Sequence, residues 1–299
     1  MRPLLPLLFL GALTGCANSV FYYPSHRIVP DPALDALHVD DVYFHSSDGT
    51  LLHGEFLHAM GAAKATIVHF HGNAENLSTH VRFTDWLPAQ GYNVLEFDYR
   101  GYGLSAGSPS REGVYQDSLA AVRYAESRAD VDKQRVVLLG QSLGAAQAIT
   151  VAGSGQFPEL KAVIAESGFS SYTRIAREKE LGIPVLGWLL WPFTPLLISS
   201  GHAPEDVVGK IAPIPLLIIH GRLDPVVPYS HGEILYAAAN SPKLLWTIDN
   251  AGHIEAFGRF RPVAAPRLLK FLDYALSGDR NALDPADRTA AGLLSGPAR

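Results

Sequence analysis

A serine stands at the centre of Gly140-Gln141-Ser142-Leu143-Gly144, directly after the apolar run Val136-Val137-Leu138-Leu139. This pattern reads as a buried strand delivering a serine onto a strained turn, the arrangement of a nucleophile elbow. The two glycines let strand and helix approach closely around that turn. A serine hydroxyl attacks poorly at neutral pH, so a histidine must take its proton and an acid must hold that histidine's tautomer. Both partners follow in the order Ser, Asp, His. Pro215-Leu216-Leu217-Ile218-Ile219-His220-Gly221 is a short apolar strand, and the loop after it, Arg222-Leu223-Asp224-Pro225-Val226-Val227-Pro228, presents Asp224 as the candidate acid. Lys243-Leu244-Leu245-Trp246-Thr247-Ile248 reads as the next strand, and Asp249-Asn250-Ala251-Gly252-His253 presents His253 as the candidate base. Glu166 is a second candidate acid, to which Asp224 is preferred on chain order and turn chemistry. A tetrahedral intermediate needs donors for its oxyanion. The backbone N–H groups of Leu143 and of Asn73, in His71-Gly72-Asn73-Ala74-Glu75-Asn76, are the candidates.

The elements that must position these groups alternate between strand and helix. That alternation predicts an α/β fold with a mostly parallel, eight-stranded sheet covered by helices on both faces. Strands are predicted near 38–45, 51–58, 65–70, 93–98, 135–139, 161–165, 215–219 and 243–248, and the Asp48-Gly49 pair predicts a hairpin between the first two. Helices are predicted near 75–89, 111–128, 143–152, 172–180, 229–239 and 256–275. Each candidate triad residue then falls at a strand's carboxyl end, where open α/β sheets keep their sites.

In that order, the motifs His71-Gly72-Asn73-Ala74-Glu75-Asn76, Phe97-Asp98-Tyr99-Arg100-Gly101-Tyr102-Gly103-Leu104-Ser105, the Ser142 pentapeptide, His220-Gly221 with Asp224, and Gly252-His253 resemble the short-lid α/β-hydrolases. That group includes Bem-type hydrolases, depalmitoylating thioesterases and prolyl-aminopeptidase-like serine hydrolases. The resemblance spans residues 40–278. It implies a triad of Ser142, Asp224 and His253 with an oxyanion hole at Asn73 and Leu143. One departure is visible: Arg222-Leu223 and Pro225 replace more acidic residues often found around the acid, which alters local charge more than chemistry. Asp98 and Arg100 are read as holding their loop rather than reacting. The uncharged stretch 183–198 lies where lids of this superfamily are inserted. Pro184, Pro192 and Pro195 interrupt any long helix in it, so it reads as a lid or a buried segment rather than a membrane span.

The first residues predict where the protein works. Arg2 precedes a short apolar core at 4–10, and Leu13-Thr14-Gly15-Cys16 resembles a bacterial lipobox, cleaved before a cysteine that becomes acylated. Cys16 is the only cysteine, so no internal disulfide can form. Residues 1–15 are thus expected to be a signal peptide, 16–37 a lipidated, proline-punctuated tether, 38–278 the hydrolase domain and 279–299 a mobile tail or weak helix. Ala17 after the cysteine, by resemblance to lipoprotein sorting, points to the outer membrane facing the periplasm.

Composition agrees with one large domain: of 299 residues, 47% are hydrophobic and 18% charged. Losing Arg2 with the signal shifts the net charge from −5 to −6, which leaves no basic footprint for nucleic acid. His69 and His71 share a strand face but lack a third ligand at metal spacing, so neither metal nor cofactor is expected. The expected activity is hydrolysis of an ester or thioester of a small acyl or acylated substrate. An aminopeptidase-type amide hydrolase, with Glu166 or Glu178 receiving the substrate amine, and a non-catalytic envelope scaffold are the alternatives.

Overall fold

Why the centre of the molecule is a sheet follows from four runs that are apolar on both faces. Ala65–Phe70, Val136–Gln141, Ala162–Glu166 and Leu216–Gly221 are buried at every position, as strands covered on both sides must be. A computed structural model, described here for residues 21–181 and 201–288, places them inside an eight-stranded sheet. In chain order its strands are β1 (Val39–His45), β2 (Leu51–Leu57), β3 (Ala65–Phe70), β4 (Tyr92–Phe97), β5 (Val136–Gln141), β6 (Ala162–Glu166), β7 (Leu216–Gly221) and β8 (Lys243–Ile248). Their spatial order is β1-β2-β4-β3-β5-β6-β7-β8. Only the β1–β2 and β2–β4 pairs are antiparallel, and the Asp48-Gly49 hairpin joins the first of them.

Among the described residues, the helices of more than two turns are α1 (Arg111–Ser127), α2 (Leu143–Gly153), α3 (Tyr172–Leu181), α4 (Ser230–Ala238) and α5 (Arg261–Ser277). One apolar layer joins Val68, Leu138, Val163 and Ile218 to Leu143 and Ile149 of α2; the other joins Ile67, Val137, Ile164 and Leu217 to Leu268 and Phe271 of α5. The alternation of these numbers along each strand is the period of two that sends successive side chains to opposite faces.

Four expectations are corrected. The helix expected at 75–89 is one turn, Leu77–His80, followed by the tight turns Val81–Phe83 and Pro88–Gln90. Asn76 caps its start, its side chain accepting the Ser78 N–H. The helix expected from 256 begins at Arg261, with Pro262 in its first turn; residues 256–260 form turns instead, and the Ala256 N–H is held by the Glu166 side chain. Residues 21–37 are not a free tether. Tyr23–Pro24 pairs in parallel with Ala74–Glu75, Tyr22 is buried, and Asp31 caps the turn Pro32–Ala36. Finally, residues 279–288 pack on the domain: Leu283 and Asp287 are buried, and Asp287 accepts hydrogen bonds from Trp246 Nε1 (3.0 Å) and Arg267 Nε (2.9 Å). The segment expected to form a lid at 183–198 lies outside the described residues, as do 1–20, with Cys16 and the signal, and 289–299.

Candidate active site

Ser142 sits between β5 and α2 with φ 55° and ψ −114°, a conformation that L-residues avoid and that only over-determined surroundings sustain. Two glycines make it possible. A Cβ on Gly144 would collide with the Phe70 and His71 carbonyls, and one on Gly140 with the Gly144 carbonyl, so strand β3, the elbow and α2 can approach only without side chains there. The Ser142 N–H donates to the Glu166 carbonyl at 2.9 Å, tying the elbow to the end of β6.

Asp224 and His253, 29 residues apart in sequence, meet beyond β7 and β8: His253 Nδ1 donates to Asp224 Oδ2 at 2.8 Å. The other carboxylate oxygen, Oδ1, accepts the N–H groups of Val226 (2.8 Å) and Val227 (2.9 Å) in its own turn. Burial alone would push the Asp224 carboxyl up. The His253 contact and the two backbone donors outweigh it and hold the group below the usual carboxylate range. Asp224 is buried and His253 half-buried, so the anion is screened while the imidazole edge stays reachable. Arg222 pairs with Asp249 (2.8 Å) at the surface.

The expected oxyanion donors are positioned by different means. Leu143 opens α2, so its N–H has no helical acceptor. Asn73 is fixed by Tyr102, whose hydroxyl donates to the Asn73 carbonyl (2.9 Å) and meets Asn73 Oδ1 at 3.0 Å. The loops behind it are held as expected: Asp98 accepts the Leu77 N–H (2.8 Å), and Arg100 pairs with Asp117 (2.7 Å) and Asp48 (2.7 Å).

Glu166 is not beside His253 Nδ1. Its Oε2 accepts from Gln141 Nε2 (2.7 Å) and its Oε1 from the Ala256 N–H (2.7 Å). The chain continues under the elbow, where His69 meets Gln141 Oε1 (3.3 Å) and Glu96 Oε2 (2.6 Å), and Glu96 also accepts the Thr84 hydroxyl. His69 is thus spent on a buried polar network, and His71 Nδ1 on the Gly72 carbonyl (2.7 Å). Ser167, with φ 52°, accepts the Ile254 N–H at 3.2 Å and helps Glu166 shape the loop that carries His253. Sequence reasoning missed these supports. Gln141 occupies the variable position before the serine and Tyr102 lies between two glycines, and those placements were the only signals available.

This sheet order, with a serine on a strained strand-to-helix turn and an acid–histidine pair from later loops, defines the α/β-hydrolase class. The comparisons agree, and the chain belongs to the α/β-hydrolase superfamily. The pattern of the serine aminopeptidase S33 family matches residues 61–204. The uncharacterized protein YfhR of Escherichia coli (strain K12) is 40% identical over 267 residues, covering 87% of this chain and 89% of that protein. The alpha/beta hydrolase domain-containing protein WAV2 of Arabidopsis thaliana is 31% identical over 79% of this chain and 76% of its own length. Among solved structures, the Pyrococcus furiosus esterase Pf2001 superposes with a TM-score of 0.69 at 23% identity, covering 86% of this chain and 98% of that one, a likeness of fold.

Proposed function

We propose that this protein is a lipid-anchored serine hydrolase that cleaves a carboxylic ester or thioester through an acyl-enzyme. The observation that carries the reading is the 2.8 Å Asp224–His253 pair at the sheet edge that also bears the strained Ser142. With Nδ1–H committed to Asp224, His253 keeps Nε2 as the free base. Ser142 Oγ attacks the acyl carbon while Nε2 takes its proton, and the Asn73 and Leu143 N–H groups receive the developing oxyanion. Collapse breaks the bond to the leaving alcohol or thiol, which takes the proton from Nε2. Water then attacks the acyl-enzyme by the same steps, releasing the acid and restoring Ser142.

An ester or thioester is preferred over an aminopeptidase substrate because the two carboxylates considered for an amine are occupied. Glu166 is held by Gln141 and Ala256, and Glu178 by His231 Nε2 at 2.9 Å. The anchor rests on Leu13-Thr14-Gly15-Cys16 behind an apolar core, with Ala17 favouring the outer membrane. A fluorophosphonate probe tests the chemistry. The wild-type protein should be labelled and Ser142→Ala should not, with an unchanged melting curve; labelling of the variant at the wild-type rate would place the nucleophile elsewhere and a wild-type protein inert to the probe would favour the scaffold.

A further inference from the structure

The segment expected to be a tether is instead built into the loops of the candidate site. The Tyr23 N–H donates to the Asn73 carbonyl (3.4 Å) and the Ser25 N–H to the Glu75 carbonyl (3.1 Å). Asn76 Nδ2 donates to the carbonyls of Ser25 and Arg27, both at 2.9 Å, and the Val29 N–H donates to Ser78 Oγ at 3.0 Å. The same strap grips the loop after β4, where the Gly103 N–H donates to the Ser25 carbonyl (2.9 Å) and His26 Nδ1 meets the Gly103 carbonyl (2.8 Å). From residue 21 onward the chain is therefore fixed against the oxyanion loop.

Five residue steps separate Phe21 from Cys16, which reach at most about 18 Å when fully extended. A domain of about 250 residues has a radius of gyration of about 18 Å, so a lipid on Cys16 could not let the far end of the domain face the bilayer. What lies at the near end is apolar. Of the large hydrophobic side chains exposed among the described residues, Tyr23 (59%), Ile28 and Val29 are on the strap and Leu104 (53%) follows the glycine it grips. Leu223 (66%) and Val226 lie on the loop that carries Asp224, at the same carboxyl edge of the sheet. Of the rest, Tyr43, Leu51 and Val263 lie on β1, β2 and α5, and Met60 is at the opposite edge, where its N–H meets the Pro88 carbonyl ahead of β4.

We propose that the carboxyl edge of the sheet, through the strap and the Leu104 and Leu223 loops, rests on the lipid bilayer, so that the active-site mouth opens toward the membrane surface. This rests on the lipid-anchor reading above. Apolar and aromatic side chains scattered on one edge bind the headgroup boundary weakly by themselves, and a covalent lipid at their margin makes the contact persistent.

Because acylation consumes the only native thiol, single added cysteines can be labelled selectively. Full-length protein produced with its lipid, carrying Leu104→Cys or Met60→Cys and an environment-sensitive fluorophore there, is reconstituted into phosphatidylethanolamine and phosphatidylglycerol vesicles containing a nitroxide lipid. The expected result is a blue shift and loss of fluorescence at position 104, with neither at position 60. Retained hydrolysis of a soluble short-chain ester shows that both labelled proteins are folded. Intact mass of the N-terminal peptide separates the two readings. If Cys16 carries lipid but position 104 is as water-exposed as position 60, the bilayer contact is overturned and the anchor stands. An N-terminal peptide without lipid overturns the anchor, and the proposed contact with it.

Discussion

The Glu166 carboxylate accepts the N–H of Ala256 at 2.7 Å, three residues beyond His253, while Asp224 accepts from the His253 ring itself at 2.8 Å. Two buried acids therefore serve one histidine in different ways: one shapes its loop and the other holds its tautomer.

The division has a kinetic consequence. Asp224→Asn should lower kcat by about 10⁴-fold, since an amide facing Nδ1 stabilises the wrong tautomer. Glu166→Gln keeps an oxygen for the Ala256 N–H and should cost about 10-fold or less, the size of one weakened hydrogen bond. Steady-state kinetics on a p-nitrophenyl ester, beside melting curves, checks both. A dead Glu166→Gln with an active Asp224→Asn would reverse the assignment.

Glu55 stands opposite Glu96 across β2 and β4, with a buried Oε2 that has no hydrogen-bond partner. Burial, and then the Glu96 charge, push its carboxyl up to about 7. An acid raised on folding binds more protons in the native state than in the unfolded chain, where it titrates near 4.3. Its contribution to stability is therefore lost as pH rises from about 4 toward 7. Glu55→Gln should raise Tm by several degrees at pH 8 and change it little at pH 4.5. An equal shift at both values would show that Glu55 does not titrate as described.

Residues 279–288 contribute stability. Burial of Leu283 and the hydrogen bonds of Asp287 to Trp246 and Arg267 together suggest that deleting 279–299 costs about 2–5 kcal/mol. At about 2–4 °C per kcal/mol, Tm should fall by roughly 10 °C. Thermal unfolding followed by circular dichroism would read this directly, and an unchanged Tm would mean that the packed segment adds nothing.

If Cys16 is acylated, Cys16→Ser should leave an unprocessed precursor. The wild-type protein should stay with the membrane fraction in high salt, where an electrostatic association would be screened away. Intact mass and fractionation check this, and a soluble wild-type protein with an unmodified terminus would exclude the anchor.

Much of this was legible in the amino-acid order because it rests on local chemistry. A strand covered on both faces must be a short unbroken apolar run, and a serine on a sharp turn needs glycines two positions to either side. All eight strands, the hairpin and the positions of Ser142, Asp224 and His253 at strand ends therefore stand where sequence patterns put them. What failed was decided by contacts between residues distant in the chain. No strand and no triad residue was displaced, yet α5 starts at Arg261, five residues later than expected, after turns at 256–260 whose first N–H, that of Ala256, is claimed by Glu166 ninety positions away. Residues 21–29 belong to a stretch that looks free by composition, since Pro24, Pro30 and Pro32 interrupt regular structure along it. They are nevertheless ordered by Asn76, Ser78 and Gly103, which offer exactly the partners that an irregular backbone lacks within itself. Periodicity reports which face of an element is apolar; only the folded chain decides which distant polar group satisfies a given N–H or carbonyl.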